Sequence, residues 1–181
     1  MVRLSSVVFL FIASACAAAE PVGEQQGEAL VTIARTHFAV QTATRSSGDA
    51  SAPSARGLSE VRYDLPSGGR LAAYYLTPDG KLLKFLVNAP TSNPYLEIND
   101  RRRFIEKLMK IVVADSGSEE RAWAAKQLDE SWSERVRSLP VQVGGYVFSG
   151  ITVQSPAGSH DNFRIIALDT GAVGLRYQPS R

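Results

Sequence analysis

The clearest structural signal in this chain lies in residues 60–88, which read EVRYDLPSGGRLAAYYLTPDGKLLKFLVN. Apolar and polar side chains alternate at the start of this stretch, as they do in a strand that buries one face. Two glycine-containing turns interrupt the apolar runs, and the second also contains the proline and aspartate that favour tight turns. The pattern therefore predicts three consecutive antiparallel strands, at 60–65, 70–77 and 82–88.

Two helices are predicted to follow this meander. The first spans about 101–114 and carries a wide apolar stripe of the kind that a helix buries against a core. The second begins at a serine cap, with Ser116 and Ser118 as the two candidates, and extends to about residue 138. Its apolar residues recur every three or four positions, and Pro140 ends it, because proline disrupts helical hydrogen bonding.

The chain is predicted to return to strands beyond Pro140. These strands are expected at 141–154, with a bulge at 144–145, at 163–169 and at 173–177, and a loop is expected at 156–162. The predicted order is α–βββ–αα–βββ, in which strands and helices occur in runs. Such an order is typical of an α+β fold, here an antiparallel sheet of five to six strands with helices packed on it.

The segment before the meander is predicted to contain one helix and a linker. Apolar residues between 24 and 43 fall mainly on one helical face, although several β-branched residues leave a strand as the alternative. Residues 42–57 are rich in serine, alanine and glycine and are predicted to form a flexible surface linker. The expected organisation is a signal peptide at 1–19, the helix and linker at 20–57, and a single α+β domain at 58–181.

The N-terminus has the pattern of a secretory signal peptide. Arg3 is followed by an apolar run at 7–13 and by small residues at 17–19, which predicts cleavage before Glu20. The apolar run is too short to anchor the chain across a bilayer. An alternative uses Cys16, because residues 13–16 resemble the lipobox of bacterial lipoproteins. Lipidation of Cys16 would tether the protein to a membrane, and we otherwise expect no membrane partner.

The composition favours a bacterial envelope protein that works without a cofactor. Of the 181 residues 44% are hydrophobic and the net charge is +2, which is typical of a globular domain. The single cysteine lies in the predicted signal peptide, and no N-glycosylation sequence is present, so the periplasm is the simplest expected location. Secretion and outer-membrane attachment are the alternatives. The near-neutral charge argues against nucleic-acid binding.

Few residues suggest catalysis. His160 and Asp161 follow Ser159 in the predicted loop at 156–162, which makes His160 and Asp161 weak candidates for an acid–base pair. The other histidine, His37, lies within the apolar stripe of the first helix and is expected to be a core or interface residue. The sequence contains no ligand spacing typical of zinc or calcium and no nucleotide-binding glycine motif, so neither metal nor cofactor is expected.

The most prominent polar feature is a cluster of basic residues at the start of the second predicted helix. Arg101, Arg102 and Arg103 are consecutive, and Lys107 extends the polar face one turn further along. The cluster is predicted either to be a solvated face or to bind an acidic protein, anionic lipid headgroups or an envelope polysaccharide. In the first case the acidic residues of the next helix offset its charge, and these are Glu119, Glu120, Glu130 and Glu134.

Trp123 points away from the apolar stripe of its own helix, so we expect it either to be covered by another element or to serve as an exposed aromatic anchor.

Together these features predict an exported, non-enzymatic protein that binds another envelope or secreted protein, such as an accessory, inhibitor or immunity-type partner. Two alternatives stay open. One is a cofactor-free envelope hydrolase that uses His160 and Asp161, and the other is a structural factor anchored through Cys16.

Overall fold

A computed structural model describes residues 22–46, 57–66, 68–76, 79–91, 98–133, 139–156, 158–170 and 174–178. The predicted signal peptide at 1–19 and the lipidation candidate Cys16 lie outside these ranges. Within them, no helix has both the length and the apolar character needed to cross a membrane.

The predicted α+β fold is confirmed. The described residues form one eight-stranded sheet and three α-helices. The order of strands in the sheet is β1-β2-β3-β4-β7-β6-β5-β8. Neighbouring strands are antiparallel except β5 and β8, which are parallel at one edge. The elements are α1 (Val22–His37), β1 (Thr44–Ser46), β2 (Leu58–Asp64), β3 (Arg70–Leu76), β4 (Leu82–Pro90), α2 (Ile98–Val112), α3 (Ser118–Ser133), β5 (Val141–Val143), β6 (Tyr146–Ser155), β7 (Gly158–Ala167) and β8 (Leu175–Arg176).

All three helices pack on the same face of the sheet. One cross-strand row of that face is buried in the core, and it consists of Val61, Ala73, Phe85, Ile165 and Phe148. The first helix approaches the sheet through Gly23 and Gly27, four residues apart on one helical face. A Cβ atom on Gly27 would lie 3.1 Å from the Val61 side chain, so glycine allows this close approach.

The structure corrects two predictions made for the second half of the sheet. The predicted bulge at 144–145 is the turn of a hairpin between β5 and β6, in which Gly144 adopts a positive φ of 53°. The predicted loop at 156–162 is mostly strand, because β7 begins at Gly158 and pairs with β6 from there onward. Cross-strand hydrogen bonds outweigh the turn preference of the Asp and Asn residues in this segment.

The sheet also has more strands than the five to six expected. Residues 44–46, within the segment predicted to be a linker, form the edge strand β1 beside β2. Arg45 in this strand pairs with both Glu24 and Glu28 of α1, which connects the edge of the sheet to the helix. Residues 47–56 of the same segment lie outside the described ranges.

Candidate functional site

Helical geometry divides the three consecutive arginines between two surfaces. Successive residues of an α-helix are about 100° apart around its axis, so three of them cannot share one narrow face. Arg101 and Arg102 turn towards α3, where their guanidinium groups lie 3.4 Å and 2.9 Å from the carboxylate of Asp129. Arg103 instead turns towards α1 and is largely exposed.

Asp129 is a buried charge that holds α2 against α3. It is 1% exposed, and Arg102 donates a hydrogen bond from Nε to its carboxylate. Arg101 also lies over the ring of Trp132, 5.1 Å from the ring centroid. Arg101 and Arg102 thus have an acidic counterpart on the next helix, at Asp129, which is not one of the four glutamates expected from the sequence. Of those four, Glu134 lies outside the described ranges.

Arg103 and Lys107 line an open groove of about 350 Å³ between α1 and α2. Both side chains are exposed, and they are one helical turn apart on α2. Asp100 lies at the same groove, with its carboxylate 3.9 Å from the Arg103 guanidinium. Along with these three residues, the described lining consists of Thr32, Ile33, Thr36, His37 and Phe104.

His37 forms part of the groove wall and packs on aromatic residues. Its ring stacks on Phe104 with a centroid distance of 4.2 Å and an interplanar angle of 8°, and it meets the edge of Phe38. Burial lowers the pKa of His37 from 6.5 to about 4, and the positive charge of Arg101 adds to this effect. The imidazole is therefore neutral at pH 7 and can donate or accept one hydrogen bond in the groove.

This low pKa predicts a loss of stability in mild acid. Between pH 6.5 and about 4 the unfolded chain binds a proton at His37 that the folded chain does not, so stability falls as the pH falls through this window. The shift corresponds to at most about 3 kcal/mol, and partial exposure of the ring reduces this to about 2 kcal/mol. Urea titrations at several pH values are expected to show this loss in the wild type and not in His37→Gln.

His160→Gln is the matched control, because the chain has only two histidines. We expect this variant to keep the same decline in stability between pH 6.5 and 4. A decline that persists in His37→Gln and disappears in His160→Gln would contradict the assignment.

The structure does not bring the side chains of His160 and Asp161 together. They are consecutive in β7, and consecutive side chains of a strand point to opposite faces. Asp161 faces the helices and is 2% exposed. There it accepts hydrogen bonds from the Thr152 hydroxyl and, at 3.4 Å, from the Trp132 indole. His160 lies on the opposite face of the sheet, beside Pro90 and Val153 in register.

Trp123 is half-buried and packs against the hydrophobic core. Its ring lies 5.5 Å from that of Tyr177, centroid to centroid, so residues near the C-terminus cover part of it. The candidate binding residues therefore occupy three places. Arg101 and Arg102 meet α3, Arg103 and Lys107 line the groove, and Trp123 packs under Tyr177.

Sequence reasoning missed two parts of this region. Thr32 and Thr36, which form the α1 wall of the groove, carry no motif, and only their i, i+4 spacing on α1 could have indicated a shared polar face. Asp129 offered a clearer signal. It is an acid beside the apolar stripe formed by Leu128 and Trp132, and a carboxylate buried there needs a cation or hydrogen-bond donors as partners.

No group of three or more His, Cys, Asp or Glu side chains in the described ranges is arranged to hold a metal ion. No family model, curated protein or solved structure matches this chain.

Proposed function

We propose that this chain is an exported, non-enzymatic binding protein of the bacterial envelope, located in the periplasm, and that its α1–α2 groove binds an acidic segment of another envelope or secreted protein. The observation that carries this proposal is the orientation of Arg103 and Lys107. Both present exposed positive charges at an open groove, where the only ion pair of Arg103 among the described residues is the exposed one with Asp100 at 3.9 Å, whereas Arg101 and Arg102 are paired with the buried Asp129.

The groove suits a short acidic segment in shape as well as in charge. Arg103 can hold a carboxylate through two parallel hydrogen bonds, and Lys107 adds a second positive charge one turn away. Thr32, Thr36 and the neutral His37 supply hydrogen-bonding groups on the opposite wall. Ile33, which is half-buried on the α1 wall, provides apolar surface for a neighbouring apolar side chain of the partner.

The hydrolase alternative has less support. A general acid and base must both reach the same reacting bond. His160 and Asp161 point to opposite faces of the sheet, and Asp161 is buried against Trp132. Binding through the exposed charges of Arg103 and Lys107 does not require two catalytic side chains to meet at one bond.

The experiment that tests this proposal places a photo-crosslinking amino acid at Thr36, which is exposed on the groove wall, in cells that produce the protein. We expect one envelope protein to crosslink there. The double variant Arg103→Glu/Lys107→Glu is expected to weaken binding of that purified protein by about tenfold or more, because like charges then face each other across the interface. Affinities measured at two salt concentrations should show stronger binding at the lower one.

The charge exchange Lys126→Glu/Glu130→Lys is the control, because both residues are exposed on α3, away from the groove. This double variant leaves the net charge unchanged and should bind the partner as the wild type does. A partner that binds the Arg103→Glu/Lys107→Glu variant as tightly as the wild type would refute the groove assignment. No crosslink from Thr36 in any envelope preparation would refute it as well.

Export is tested separately by the mature N-terminus. Mass spectrometry of the protein from a periplasmic extract is expected to find a chain that begins at Glu20, in agreement with cleavage after the small residues at 17–19. A chain that begins with a lipid-modified Cys16, lost in Cys16→Ser, would instead support the anchored structural factor.

A further inference from the structure

The face of the sheet opposite the helices carries a second groove, which the proposed function does not use. Side chains alternate between the two faces along each strand. The residues that adjoin the core row in sequence, one on each strand, therefore form a second row on the opposite face. This row crosses five strands in register and consists of Glu60, Tyr74, Lys84, Ile166 and Val147. None of the described helices packs there, because α1, α2 and α3 share the other face.

A β-bulge shapes this groove. The register between β3 and β4 shifts at Tyr74 and Tyr75, which pair with Lys84 and Leu82, so that Leu83 is the additional residue. The two side chains of a bulge can point to the same face, which a regular strand does not allow. Here Leu82 is buried in the core, whereas Leu83 and Lys84 both line the groove.

The groove is apolar and large enough for a small ligand. Its volume is about 440 Å³, within the usual range of ligand sites. Its walls consist of Leu58, Leu83, Ile166, the ring of Tyr74 and Lys84. Leu58 is 40% exposed and Tyr74, Leu83 and Ile166 are half-buried, so apolar surface here meets water. An alkyl chain that covers this surface would be stabilised by the hydrophobic effect.

The charges around the groove favour a negative headgroup. Among its described lining residues Lys84 alone is charged. Arg164 lies on the same face of β7, two residues from Ile166, which makes it the diagonal neighbour of Lys84. Glu60 is on the same row but two strands from Lys84, about 10 Å away, with Tyr74 between them. The side of the groove formed by β4 and β7, where Lys84 and Arg164 lie, is therefore positive.

We propose that this groove binds a fatty acid, with its alkyl chain along Leu58, Tyr74, Leu83 and Ile166 and its carboxylate at the Lys84 ammonium group. The apolar walls select an alkyl chain, and Lys84, the one cation in the described lining, selects an anionic head. This site is separate from the α1–α2 groove, so either assignment can fail without the other.

The test measures binding of a dansyl-labelled undecanoic acid, whose fluorescence rises when the probe leaves water, and its displacement by dodecanoate, dodecanol and dodecyltrimethylammonium. We expect dodecanoate to displace the probe best and the ammonium compound to be about tenfold or more weaker, because it faces Lys84 with the same charge. Lys84→Met is expected to weaken dodecanoate by about fivefold or more, since a charge-assisted hydrogen bond is lost.

Ile166→Glu places a carboxylate within the groove and is expected to abolish probe binding. Circular dichroism tests whether this variant is folded. If it is not, Ile166→Ala replaces it, and we expect that variant to show an intermediate loss of affinity for the probe. Lys126→Glu/Glu130→Lys is the control, because both residues are exposed on α3, on the other face of the sheet, and their exchange leaves the net charge unchanged. This variant should bind the probe as the wild type does.

Three results would overturn the proposal. The first is no fluorescence change with the wild type, and the second is equal displacement by the anionic and cationic compounds. The third is a concentration-dependent dimer, seen by sedimentation and lost in Ile166→Glu, in a protein that does not bind the probe. That outcome would identify a second copy of the chain as the occupant of this face.

Discussion

Replacing Trp132 with alanine is expected to lower the free energy of unfolding by about 4 kcal/mol, as truncation of a large buried aromatic residue usually does. Trp132 is 2% exposed and stacks on Phe163 with a centroid distance of 5.6 Å. Its ring also fills the space above Gly150, where a Cβ atom would lie 2.4 Å from the indole. Alanine would leave a cavity between α3 and the sheet.

Trp132 has a polar role in addition to its volume. Its indole N–H donates to the Thr152 hydroxyl at 3.0 Å and lies 3.4 Å from Asp161, which is buried. Trp132→Phe keeps most of the ring but removes this donor, and we expect it to cost about 1–2 kcal/mol. Urea unfolding followed by far-ultraviolet circular dichroism gives both values.

A small effect of Trp132→Ala, below about 1 kcal/mol, would contradict the close packing of α3 on β6 and β7. Equal losses for the alanine and phenylalanine variants would show that the hydrogen bonds, and not the ring volume, account for the stability. If the alanine variant does not fold, the phenylalanine variant measures the combined loss of the N–H donor and of part of the ring volume.

The second large effect is expected from Asp129→Asn, with a loss of about 3 kcal/mol, because it removes the negative charge that is buried beside Arg101 and Arg102 where α2 meets α3. The carboxylate of Asp129 is 2% exposed, and the side chains of Arg101 and Arg102 are 18% and 35% exposed. Arg102 can turn partly towards water, but Arg101 lies over Trp132, so its charge would stay near the core.

Glu130→Gln is the matched control for this variant. Glu130 is the next residue of α3, its side chain is 48% exposed, and its carboxylate lies 3.9 Å from the Lys126 ammonium. Its loss is expected to cost less than about 0.5 kcal/mol, as is usual for an exposed ion pair. Urea unfolding of both variants in parallel measures the difference. Equal stability of the Asp129→Asn and Glu130→Gln variants would show that Asp129 does not hold α2 and α3 together.

Local sequence patterns were sufficient for most of the secondary structure. The alternation in 60–65 and the apolar stripe in 101–114 predicted β2 and α2 nearly to their ends, because side-chain periodicity depends on the geometry of each element alone. Local patterns failed at 158–162, where the turn-forming residues lie within β7. The hydrogen bonds of β7 go to β4 and β6, and no local pattern contains those partners.

The candidate sites were less predictable than the fold. From the sequence, Arg101, Arg102 and Arg103 form one cluster, and the turn of the helix shows that they must diverge. Which of them meets an acid depends on where α3 lies, and only the structure places Asp129 beside Arg101 and Arg102. His160 and Asp161 illustrate the same limit, since adjacency along a strand separates side chains to opposite faces.

By itself, then, the sequence determined the α+β class, the alternation of helical and strand regions along the chain, and the positive charge carried by α2. The tertiary structure alone decided that α1 and α2 enclose a groove, that Asp129 pairs with two arginines, and that a bulge turns Leu83 and Lys84 to the helix-free face. The physical reason is the range of the interactions. Periodicity and turn preferences act over a few residues, whereas burial and charge pairing join side chains that are distant along the chain.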